Sequence, residues 1–103
     1  MTSLNYMSEV ARFWITAKQA LLEVDVRLAN GRLPQDHQIT INESVFSELA
    51  EYAKRVRDAS AVNGTDPIEV LGSMGIDPLL ASTYWQLGMF ELTKLEKMEQ
   101  DQA

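Results

Sequence analysis

The chain has 103 residues, with nine Lys and Arg against fifteen Asp and Glu, a formal charge of −6 and no cysteine. That length fits one domain over residues 1–103, and an apolar share of 46% gives it a core. The negative charge disfavours nucleic acid and anionic membranes, the missing cysteines exclude a disulfide framework, and no apolar run approaches the ~20 residues of a spanning helix.

Residues 1–6 place no basic stretch ahead of an apolar run, so no export signal is expected. With zero cysteine, this points to the cytoplasm. Residues 8–29 are the first strong helix. Val10, Phe13, Trp14, Ala17, Leu21, Val24 and Leu28 recur at three- and four-residue steps. Glu23 and Arg27 stand four apart in the favourable order for an ion pair. Asn30-Gly31 ends the helix, with Gly31 suited to a left-handed cap. Residues 32–40 read as a connection. Ile39-Thr40-Ile41 alternates like a strand but has no mate, so it is expected to be a loop tacked down by Ile39 and Ile41.

The second helix starts near Asn42 or Ser44, either of which suits a cap. Val45, Phe46, Leu49, Tyr52, Ala53 and Val56 form its apolar stripe. Glu51 and Arg55 offer another i,i+4 pair, and Lys54, Arg55 and Arg57 fall toward an end that Asn63-Gly64 closes. Asp66-Pro67 and Asp77-Pro78 then repeat one signal, a capping acid before a proline at the first helical position. The first opens a short helix over residues 67–73, and Gly75 supplies the turn after it. The second opens the last helix, over residues 78–98, with residues 100–103 expected to fray. In this last helix Leu80, Tyr84, Leu87, Leu95 and Met98 form one stripe, Trp85, Met89 and Leu92 another, and Phe90 lies on a third side. Gly88 costs about 1 kcal/mol against alanine in mid-helix. A closely crossing helix would account for it. The expected fold is therefore all-α, a small bundle of about three long helices and one short one, with the first and last packed around Trp14, Leu21, Tyr84 and Leu87.

Residues 68–78 resemble a helix-turn-helix in spacing: a short apolar helix, a glycine turn, then a capped second helix. The would-be reading helix presents Ser82, Thr83 and Gln86. Yet residues 58–93 hold five acids and no Lys or Arg. Phosphate contacts normally need those cations. A transcription regulator is therefore the alternative reading, and it would have to borrow Arg32, Lys54, Arg55 and Arg57 from elsewhere. Asp66, Glu69 and Asp77 mark instead an acidic surface fit for a basic protein partner.

Catalytic chemistry finds no set of groups. His37 is the sole histidine, in a proline-containing loop beside Asp36. A nucleophile, base and orienting acid need three groups held together. Metal ligation needs several His, Cys or spaced carboxylates, and a phosphate loop needs glycines before a lysine. None of these patterns occurs, so no enzyme, metal or cofactor is expected. The last helix is apolar nearly all round, which marks a helix either central in a core or shared with a partner. Trp85, Met89, Phe90 and Leu92 are the expected interface residues, and self-association as a homodimer is the expected state. The functional expectation is a non-enzymatic interaction module, a small adaptor, inhibitor or assembly component. Its size and character suit an accessory of a phage or mobile element.

Overall fold

A computed structural model describes residues 4–102. The absence of an export signal was read partly on residues 1–3, which lie outside them. Four α-helices and one 3-10 turn follow in order: α1 Leu4–Asn30, the turn Gln35–His37, α2 Ser44–Asn63, α3 Pro67–Ser73 and α4 Pro78–Gln102. The fold is the expected all-α bundle of three long helices and one short one.

α1 starts earlier than periodicity suggests because Tyr6 is 1% exposed and its hydroxyl donates to the Thr65 carbonyl at 2.7 Å. Tertiary burial thus recruits residues 4–7 into the helix. The core face of α1 is Tyr6, Val10, Phe13, Ala17 and Ala20, all buried. α2 runs antiparallel beside it, burying Val45, Phe46, Leu49, Ala50, Ala53 and Val56. The antiparallel sense is fixed at both ends. Tyr6 meets Thr65 just past α2, while Arg27 pairs with Glu43 and stands over the Phe46 ring at 4.3 Å.

Those end contacts replace the expected helix-internal pair of Glu23 and Arg27. Glu23 Oε2 accepts from the Asn42 amide at 3.1 Å, and Arg27 reaches Glu43. Both side chains therefore fasten the entry to α2. Asn30 does the same for the loop. Its Oδ1 accepts from Ile39 N–H at 2.8 Å and its Nδ2 donates to Ile39 O at 2.8 Å. Ile39 is thus held through its backbone, its side chain being 55% exposed, while Ile41 packs on the core as expected. Residues 39–41 form no strand.

Several local expectations change. Gly31 does not take positive φ; α1 closes through the turn bonds Arg32 N–H to Ala29 O and Leu33 N–H to Asn30 O. Neither Asn42 nor Ser44 caps α2. Glu43 holds the cap position without a side-chain bond, and the Ser44 hydroxyl is tied up donating to Asn42 Oδ1 at 2.6 Å. Lys54, Arg55 and Arg57 lie mid-helix, since α2 runs on to Asn63 and has no basic residue in its last turn. Residues 100–102 are helical, and Ala103 lies outside the described residues.

The elbow between α3 and α4 follows from sequence alone. Asp66 accepts from Ile68 N–H at 2.7 Å and Asp77 from Leu79 N–H at 2.9 Å. α3 ends with Gly75 at φ +88°, the Ile76 amide bonded to Leu71 O and the Gly75 amide to Gly72 O. That is a Schellman closure.

α4 lies across the α1–α2 pair. Gly88 sits against Phe13 of α1 and Ala53 of α2, so the expected close crossing is real. Trp14 meets Tyr84 edge-on at 4.6 Å and Phe13 meets Trp85 edge-on at 5.3 Å. The result is a slab of 52 × 39 × 19 Å with a radius of gyration of 15.3 Å. A compact chain of this length measures about 13 Å.

Candidate interaction surface

α4 buries Ala81, Tyr84, Gly88, Glu91 and Leu92. Two of these, Ala81 and Gly88, are small and seven residues apart. They let α4 approach its neighbours closely, and they set which arc turns inward. The four expected interface residues separate on that basis. Leu92 is 0% exposed, buried within the subunit, and has no surface to offer a partner. Trp85 and Met89 are half-buried and packed on the core, Trp85 against Phe13. Phe90 is 61% exposed, with the Lys94 ammonium 5.0 Å from its ring centroid.

Sequence reasoning placed Leu80 and Met98 in a stripe with Tyr84 and Leu95. They are 43% and 58% exposed, Met98 bordering a hollow beside Phe46 and Ala50 of α2; Leu79 is 77% exposed. Half-buried Leu87 lies between them along the helix. The spacing of Ala81 and Gly88 was the signal that could have separated the two arcs. Small residues mark where backbones approach, which turns the large apolar residues of the opposite arc outward. α1 also carries apolar residues on the side away from the core, with Leu4, Ile15 and Leu22 exposed.

The acids of residues 58–93 are largely engaged within the chain. Asp66 and Asp77 are helix caps. Asp58 pairs with Arg57 at 3.3 Å, and Glu91, 8% exposed, pairs with Lys94 at 3.3 Å. Glu69 stands exposed on the first turn of α3. Of the expected acidic surface, two members therefore serve backbone amides first.

The short helix, the glycine turn and the capped second helix of the helix-turn-helix spacing form at α3, Gly75 and the start of α4. Its reading residues are turned to their own helix. Thr83 Oγ1 donates to Leu79 O at 2.9 Å, and Gln86 Nε2 donates to Ser82 Oγ at 3.3 Å. Among the cations it would borrow, Arg57 is engaged with Glu96 at 3.0 Å as well as Asp58. The Glu96 hydrogen bond leads in raising the Arg57 pKa. Arg55 stands 5.5 Å from the Tyr52 ring centroid.

His37 is exposed in the 3-10 turn, with Nδ1 3.5 Å from Asp36 Oδ1. Among the described residues, no group of three or more His, Cys, Asp and Glu is placed to hold a metal ion. An open hollow of about 290 Å³ lies over Ser47, Glu48, Glu51, Tyr52 and Arg55 of α2 alone. No described helix is long and apolar enough to cross a membrane. No family model, curated protein or solved structure matches the chain.

Proposed function

We propose that the chain is a non-enzymatic protein–protein interaction module, an adaptor, inhibitor or assembly component that binds through helix faces. The observation that carries this reading is surface area. The chain exposes 6844 Å², whereas a monomer of 11.6 kDa exposes about 5,800 Å² by the usual mass scaling. The surplus, about 1,000 Å², is of the order that one partner contributes to a standard protein interface. Among the described residues, large exposed apolar side chains lie on α1 as well as α4, and Phe90 of α4 is the aromatic one among them. The net charge favours a cationic partner over an anionic one.

Capture from the native host with the wild-type chain and with Phe90→Glu tests the module. A protein retained by the first and lost with the second supports it. Equal recovery with both, or no recovery with either, opposes it. The second reading, a DNA-binding regulator, draws on the elbow of α3 and α4. A gel shift on duplex DNA across a salt series tests that one, and binding that weakens steeply with salt would favour it.

A further inference from the structure

We propose that Asn30 is a site of covalent self-modification: it deamidates through its link to Gly31, and the change releases the connection between α1 and α2. The asparagines stand at positions 5, 30, 42 and 63, and only Asn30 and Asn63 precede a glycine. Glycine has no Cβ to shield its own amide nitrogen, so in an Asn-Gly pair that nitrogen reaches the side-chain amide with least hindrance. In this reaction the Gly31 nitrogen gives up its proton to solvent base and bonds to Asn30 Cγ. The Cγ–Nδ2 bond breaks, and Nδ2 leaves as ammonia, taking up a proton. Water then opens the five-membered imide at either carbonyl, giving aspartate or its isomer with the backbone routed through Cγ. One water is consumed, one ammonia is released, and nothing is oxidised or reduced.

Both glycine amides are bound in the closed structure, Gly31 N–H to Arg27 O at 3.2 Å and Gly64 N–H to Ser60 O at 2.8 Å. Each nitrogen can attack only after its helix end opens, so the cost of opening ranks the two sites. Gly64 leads directly into a pinned residue. The Thr65 carbonyl accepts from the Tyr6 hydroxyl at 2.7 Å and from Ser60 Oγ at 2.8 Å, and Tyr6 is 1% exposed. Asp66 then caps α3. Freeing Gly64 therefore disturbs the junction of α1, α2 and α3. Gly31 leads instead into residues 31–40, all exposed. It is held by two turn bonds, by the pairing of Asn30 with Ile39, and by Gln38 Nε2 donating to Asn30 O at 3.2 Å. Asn30 is the reactive site and Asn63 the sheltered one.

The product does not remake the pairing. Asn30 Nδ2 donates to Ile39 O while Oδ1 accepts from Ile39 N–H. A carboxylate only accepts, so one of its oxygens faces the Ile39 carbonyl with no proton between them. The new charge also falls at the C-terminal end of α1, where the helix dipole disfavours an anion. Ile39 is let go, and the approach to α2 keeps only Glu23 on the Asn42 amide and Arg27 on Glu43.

Peptide mapping by mass spectrometry of the full chain, held in mildly alkaline buffer either folded or in urea, tests the site. In the folded chain Asn30 is expected to convert at least about tenfold faster than Asn63; in urea, where local opening no longer separates them, the rates should agree within about threefold. Equal rates in the folded chain, faster conversion of Asn63, or no conversion of Asn30 overturns the assignment. Ile39→Pro removes the amide that donates to Asn30 Oδ1, and should speed conversion of Asn30 while leaving Asn63 unchanged. An unchanged rate at Asn30, or an equal rise at both, overturns the role of Ile39. Asn30→Asp supplies the product directly. Nuclear Overhauser contacts between residues 30 and 39 should be lost in it and kept in Asn63→Asp. Their persistence in Asn30→Asp, or their loss in both variants, overturns the release.

Discussion

Gly88→Ala opposes two calculable effects. In an unconstrained helix the change would stabilise by about 1 kcal/mol, because alanine loses less backbone freedom than glycine. In this molecule a Cβ at position 88 would overlap Phe13 Cε2, lie 2.9 Å from Phe13 Cζ and 3.4 Å from the Ala53 Cβ. Neither neighbour yields easily. Phe13 is 0% exposed and its ring is held edge-on to Trp85; Ala53 is 0% exposed on the buried face of α2. Relief requires α4 to lift from the α1–α2 layer or Phe13 to leave its rotamer. Overpacking of this kind costs about 1–3 kcal/mol, and two ring atoms inside 3.0 Å put it at the upper end. After the propensity gain, the net loss is about 2 kcal/mol. For a domain of this size that lowers the thermal midpoint by about 8–16 °C, measured at fixed chain concentration. Adding Phe13→Leu removes the overlapping ring atoms, so the double variant should show a favourable coupling of about 1 kcal/mol or more. An unchanged or raised midpoint for Gly88→Ala would refute the close crossing.

Gly72→Ala should have the opposite sign: a Cβ there meets nothing within 4 Å and the backbone φ is not positive, so a gain of about 0.5–1 kcal/mol in urea unfolding is expected. Tyr6→Phe removes the 2.7 Å bond to the Thr65 carbonyl and should cost about 1 kcal/mol by the same assay. Burial raises the Tyr6 pKa above its ordinary 10.0, with Asp66 and Glu69 adding to the rise against an opposing hydrogen bond with Ser60. The folded state therefore holds the proton more tightly. The resulting stability is complete below the ordinary value of 10.0 and is lost as pH rises through the folded-state value. Urea midpoints taken upward from about pH 9 should fall less steeply for Tyr6→Phe than for the wild type. His37→Ala should change stability by less than about 0.5 kcal/mol, the range of exposed positions; a larger loss would assign His37 a role its 70% exposed side chain does not suggest.

What could be read from sequence was what depends on few neighbours. Each Asp-Pro pair encodes a cap and a first helical residue, and both helices began as expected, at Pro67 and Pro78. Gly88 announced a crossing because a mid-helix glycine is costly without one. The inward arc of α4 was harder. Apolar residues lie all round that helix, so periodicity alone gives no phase: Leu92 was expected at an interface and is buried, while Leu80 and Met98 were grouped in one stripe with Tyr84 and are exposed. The start of α1 depended on Tyr6 reaching Thr65, 59 positions away, a contact no local window contains. The competition at α2 was lost by both candidate caps, because Ser44 and Asn42 bonded to each other. The acids at 66 and 77 were correctly read as caps, and that same role reduces what they offer a partner.

The Asn30 side chain changes the behaviour of the longest irregular stretch. Residues 31–40 are all exposed, and such a stretch ordinarily exchanges its amide protons rapidly and invites proteolytic nicking. By donating to and accepting from Ile39 at once, Asn30 pairs with the backbone of one loop residue as a neighbouring strand would. One long tether becomes two short ones. The Ile39 amide is thereby protected by a side chain, and its exchange reports the opening of that latch at the end of α1. The fragment between the latch and α2 is then short, so nicking within this stretch is expected at residues 31–38.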